Sequence, residues 1–158
     1  MTTPRRHADF RVPVAAAHPL QGTVKLLGLK KTPRTELELA SLAAEGLPSS
    51  VLVTLSGKLG WTREQLLSRL HLVPRTLSRR LAKGQALTVG EGERVLRLAR
   101  VLARAAALFD NDLDAAKEWL AEPSLPLGGK APVDFLTTDV GTELVLNELG
   151  QIEYGFFA

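Results

Sequence analysis

Arg75, Thr76, Ser78, Arg79, Arg80 and Lys83 fall within one short stretch, and their types suit contact with nucleic acid. An arginine can make paired hydrogen bonds to guanine O6 and N7, each worth roughly 1–3 kcal/mol of discrimination between bases. The hydroxyls of Thr76 and Ser78 suit a phosphate or a base edge, and Lys83 suits a phosphate. With about 100° between successive helical residues, Arg75, Arg79 and Lys83 share one side with Thr76, and Arg80 lies at its edge. A merely solvated basic face would carry the same residues, so the neighbouring elements have to decide between the two.

No comparable set supports catalysis. His7, His18 and His71 are far apart, no HExxH pattern occurs, and the chain has no cysteine. The acidic residues after Phe109 have no recognisable base or nucleophile to work with. LPLGGKAP lacks the spacing of a phosphate loop. Trp119 and Tyr154 sit in apolar contexts that suit a core. The expectation is a protein that is not an enzyme, with no catalytic residues, no metal and no cofactor.

The basic residues belong to the second of two short helices. In GWTREQLLSRLHLVPRTLSRRLAKG, Thr62 and Gln65 make a capping-box pattern, and Leu66, Leu67 and Leu70 give an apolar stripe. His71 to Val73 interrupts it, and Pro74 suits the first position of a new helix, where its missing N–H costs no bond. Leu77 and Leu81, one turn apart, supply that helix's buried side. The result is a helix-turn-helix pattern over about residues 62–83.

Further helices surround it. Thr32-Pro33 reads as a cap and first-turn proline of a helix ending at Gly46, with Leu37, Leu39, Leu42 and Ala43 along it. Pro48 opens another, striped by Val51, Leu52, Leu55 and Leu59 and ended by Gly60. Thr88 and Glu91 repeat the capping box ahead of a long helix, about Val89 to Leu108. Its seam of Val95, Leu98, Leu102, Ala105 and Phe109 suits either internal packing or dimerisation. Arg94, Arg97, Arg100 and Arg104 on its other positions suit either phosphates or solvent.

After Phe109 the character changes. Asp110 to Asp112 offers a cap for a helix Leu113 to Ala121, a Pro/Gly-rich loop follows, and Val133 to Leu136 reads as a helical turn. Thr138 or Asp139 can cap a last helix, Val140 to Leu149, buried through Leu144, Val145 and Leu149. No useful strand alternation is present, so the fold class is all-α. Residues 1–104 carry 18 Lys and Arg against 7 Asp and Glu, a net +11, whereas residues 105–158 carry 2 against 10, a net −8. A basic part for a polyanion and an acidic part for another partner follow from that split.

Three regions are therefore expected. Residues 1–31 form a basic, mobile N-terminal arm with at most a helical turn near Val24 to Leu29, residues 32–109 a helical DNA-binding domain, and residues 110–158 an acidic helical domain with a C-terminal tail. The arm could touch phosphate or a minor groove, or be only a solvated tail. No secretory signal or membrane span is expected, which fits a cytoplasmic protein.

From about Gly46 to Ala158 the sequence resembles the Xre/MbcA/ParS antitoxins, partners of RES-domain toxins. The carriers are the Gly46 to Gly84 stretch, the GEGERVLRLARVLARA helix and, most specifically, AAKEWLAEPSLPLGGKAPVDFLTTDVGTELVLNELGQIEYG. The resemblance implies an Xre-like helix-turn-helix domain followed by a small helical toxin-binding domain. It implies repression of its own operon through operator DNA, and neutralisation of a toxin that consumes NAD. It also implies that the C-terminal tail, here Tyr154, Gly155, Phe156, Phe157 and Ala158, enters or covers the toxin's active site. Two adjacent Phe at a chain end suit an interface anchor, although they could instead fold back on Trp119. A homodimer and a larger complex with the toxin are expected. The alternative is a helix-turn-helix regulator whose C-terminal domain binds a ligand or another protein.

Overall fold

The computed structural model describes residues 19–155. These residues form eight α-helices: α1 Pro19–Leu27, α2 Glu36–Glu45, α3 Ser50–Leu59, α4 Arg63–Arg69, α5 Pro74–Ala82, α6 Val89–Leu108, α7 Leu113–Ala121 and α8 Asp139–Tyr154. Two 3₁₀ turns, Leu125–Leu127 and Pro132–Phe135, lie between α7 and α8. Among the described residues there is no strand, only the isolated bridges Pro48–Ala86 and Ser124–Lys130.

α6 is the pillar of the molecule. Its 20 residues span about 30 Å, and α1, α2, α7 and α8 all pack on it. Val95, Leu98, Ala99, Val101, Leu102, Ala103 and Ala105 are buried, which covers more of its circumference than one amphipathic stripe. The expected seam is thus filled by the chain's own helices, which leaves no room there for a dimer partner. Both capping boxes form as the spacing predicts: Thr62 accepts from the Gln65 N–H at 3.1 Å, and Thr88 from the Glu91 N–H at 3.3 Å.

The N-terminal region departs from the expectation. Residues 19–27 are helical rather than part of an arm, and Val24, Leu26, Leu27 and Leu29 are buried against α6 and α3. Gly22 makes this possible, because a Cβ there would stand 3.1 Å from that of Ala103. The basic residues Arg5, Arg6 and Arg11, with His7 and His18, lie outside the described residues.

Three helix starts or faces also differ. Thr35, not Thr32, caps α2 by accepting from the Glu38 N–H, while Leu37 is 77% exposed. Pro48 precedes α3 by two residues because its carbonyl and that of Ser49 already accept the first turn's N–H bonds. α8 continues five residues past Leu149 to Tyr154, and Leu144, expected in the core, is 47% exposed. Thr138 caps α8 through the Gly141 N–H.

Candidate functional site

α5 is presented by a compact scaffold. α4 packs on both α3 and α5, and Leu66, Leu67, Leu70 and Leu77 are essentially inaccessible. Leu77 anchors the inner face of α5, while Leu81 is only half-buried. Pro74 is the first residue of α5, as expected. The turn before it passes through His71 in the left-handed region, φ 53°, a conformation that costs a side-chain-bearing residue about 1–2 kcal/mol. The Arg94 guanidinium braces that turn, donating to the carbonyls of Leu70 at 3.4 Å and His71 at 2.7 Å.

The structure sorts the candidate residues on α5. Arg75, Ser78, Arg79 and Lys83 are exposed, and Thr76 is half-buried. Among the described residues no carboxylate pairs with Arg75, Arg79 or Lys83. Arg80 behaves differently. Its Nη1 donates to the Ala86 carbonyl at 3.2 Å and its Nε stands 3.7 Å from the Glu91 carboxylate, so it ties α5 to the start of α6. That leaves Arg75, Thr76, Ser78, Arg79 and Lys83 as the outward set.

The α6 arginines serve the fold rather than an open basic face. Arg94 holds the turn, Arg97 pairs with Asp139, Arg100 with Glu36 at 2.9 Å, and Arg104 with Glu153 at 3.5 Å. Arg97 and Arg104 thereby hold both ends of α8 against α6. An Arg94→Ala variant should lose about 1.5–3 kcal/mol in urea unfolding, the value of a hydrogen bond from a charged group to a backbone carbonyl. Unaltered stability would show that the brace carries no weight.

The region after Phe109 is built around the inner face of α8. Val145 and Leu149 are fully buried, and Gly141 lies so close to the Phe135 carbonyl that any Cβ would collide with it. Glu148, 7% exposed, accepts a 2.5 Å hydrogen bond from the Ser124 hydroxyl, which pins the Pro/Gly loop to α8. Trp119 packs against Phe109, ring centroids 6.5 Å apart, so it belongs to the packing of α7. Asp114, Glu118, Glu122, Asp134, Asp139 and Glu143 are exposed, giving this half its acidic surface.

Of the expected tail, Tyr154 is 42% exposed on the last turn of α8, and Gly155 ends the helix in the left-handed conformation, φ 68°. Phe156, Phe157 and Ala158 lie outside the described residues. No group of three or more potential metal ligands occurs among the described residues, and none of their helices is long and apolar enough to cross a membrane. Sequence reasoning missed the outward apolar residues Leu125, Val140 and Leu144, at 91%, 71% and 47% exposure. The four- and three-residue spacing from Val140 to Tyr154 was the available signal for part of this set, but Leu144 reads as core when its neighbours are unknown.

Comparison with known proteins matches two successive parts of the chain. Residues 38–100 match the antitoxin Xre-like helix-turn-helix domain, and residues 104–155 match the antitoxin Xre/MbcA/ParS C-terminal toxin-binding domain. The chain is 31% identical over 117 residues to the antitoxin Xre of Photorhabdus laumondii, covering 74% of this chain and 79% of that protein. It is 33% identical over 123 residues to the antitoxin Xre of Pseudomonas putida, covering 77% and 75%. A Prs ADP-ribosylating antitoxin of Sphingobium sp. is 30% identical over 122 residues, covering 72% and 77%.

Proposed function

We infer the function of this chain from the family it belongs to, that of the Xre antitoxins. It is an antitoxin rather than an enzyme, with a helix-turn-helix domain and a toxin-binding domain. Its cognate toxin is a RES-domain protein that degrades NAD, and the chain neutralises it in the cytoplasm by forming a complex. The observation that carries this reading is the match of residues 104–155 to the toxin-binding domain. The acidic surface there supports it, because a net −8 over residues 105–158 favours a basic protein over nucleic acid.

The basic half controls the operon. Arg75, Thr76, Ser78, Arg79 and Lys83 face operator DNA, with α5 in the major groove, and the chain represses its own synthesis. Arg80 contributes by holding α5 in place. A homodimer reads paired half-sites, and toxin binding builds a larger complex. Residues Tyr154 to Ala158 cover the toxin's active site, with Phe156 and Phe157 as anchors.

Co-expression with the proposed RES-domain toxin tests the reading. The toxin alone should stop growth, and adding the chain should restore it and yield a co-purifying complex. Growth arrest that persists, with no complex recovered, would refute it.

A further inference from the structure

α8 carries a stripe of exposed residues on its outer face. Val140, Leu144, Asn147, Gln151 and Tyr154 recur at spacings of four, three, four and three, and all five are exposed. At about 100° per residue they fall within an arc of roughly 80°, one continuous line along the helix. Val140 is 71% and Leu144 47% exposed, an unusual place for two aliphatic side chains one turn apart. The Ser124–Glu148 hydrogen bond brings the loop bearing Leu125, 91% exposed, against the same helix one turn from Leu144.

The stripe is outward because the rotation of α8 about its axis is fixed. Gly141 fits against the Phe135 carbonyl only in this register, and Val145 and Leu149 are buried on the opposite side. Arg97 holds the first residue, Asp139, and Arg104 holds Glu153 near the last. Turning Val140 and Leu144 inward would break all of these contacts at once. Preorganisation of this kind lowers the cost of binding, since the helix has little left to order.

We propose that the α8 stripe, together with Leu125, is the docking face for the toxin, and that the complementary toxin surface is an apolar patch rimmed by basic side chains. The proposal rests on the antitoxin reading above. The stripe lies wholly within the toxin-binding match at residues 104–155 and ends at Gly155, where the tail begins. Charge selects the occupant. Glu143 is exposed on this helix with no cation paired to it among the described residues, in a region with a net −8, so a second copy of the same face would meet like charge whereas a basic partner would be attracted.

A Val140→Arg/Leu144→Arg double variant of the full chain tests this by calorimetric titration with the co-expressed RES-domain toxin. Both residues are exposed, so helix content and operator binding should match the wild type. Toxin affinity should fall about 100-fold or more, as expected when two interface anchors are lost. Leu37→Arg, at an equally exposed leucine on α2, should leave toxin affinity unchanged. Wild-type binding with an unweakened double variant would overturn the docking face while leaving the antitoxin reading intact. The same holds if the double variant only alters self-association of the free chain. Absence of binding by the wild type would remove the antitoxin reading itself, and the docking face with it.

Discussion

An Arg75→Ala/Arg79→Ala variant is expected to lose operator affinity by roughly 30-fold to 10⁴-fold. The range follows from two bidentate base contacts at about 1–3 kcal/mol each. Both side chains are exposed on α5, and among the described residues neither pairs with a carboxylate, so the variant should unfold at the wild-type urea concentration. Specific binding should suffer more than binding to random duplex, because base contacts specify and phosphate contacts only position. Arg100→Ala, which removes an ion pair with Glu36, should leave affinity unchanged and serves as the control. Gel-shift titration at fixed salt reads both. Equal affinity for the double variant and the wild type would remove α5 from the DNA interface.

Deleting Phe156 to Ala158 is expected to abolish toxin neutralisation while leaving operator binding intact. Anchoring aromatics at a protein interface are worth about 2–4 kcal/mol each, so losing two corresponds to a factor of about 10³ or more in affinity. The separation of the two effects comes from the fold. α5 and the end of α8 are not consecutive elements, and α6 lies between them in the chain. Full growth rescue by the truncated chain would show that the tail does not act on the toxin. The α8 stripe would then have to account for neutralisation alone.

Local chemistry was readable from the sequence, and long-range chemistry was not. The boxes at Thr62 and Thr88 could be placed because the cap and its partner are three residues apart. The apolar stripes of α3, α4 and α6 followed from helical periodicity, as did the all-α class. α1 was hidden because PLQGTVKLL contains two residues that normally mark loops. A nine-residue helix has little stability alone and forms here by packing on α6. The α6 arginines show the same limit: Glu93 lies only one turn from Arg97, but the partners that reach across the fold lie 42 residues away for Asp139, 64 for Glu36 and 49 for Glu153. Nothing near them in sequence says which carboxylate will arrive. Leu144 was misplaced because one turn of a helix can satisfy either face until its neighbours are fixed.

The charge division between the halves has a structural counterpart. Among the described residues, Arg80, Arg94, Arg97, Arg100 and Arg104 are bound by the fold, whereas Arg75, Arg79 and Lys83 are presented by α5 without a carboxylate partner. Two of the bound ones reach across to Asp139 and Glu153 and hold the acidic helix in place. One long helix thus carries both the scaffold behind α5 and the clamp beneath α8.

The central claim, neutralisation of an NAD-degrading toxin, is tested most directly by cellular NAD. Cells expressing the RES-domain partner alone should lose most of their NAD before growth stops. Cells expressing it with this chain in equal or greater amount should keep NAD at the uninduced level. NAD that falls equally in both cultures would contradict the account.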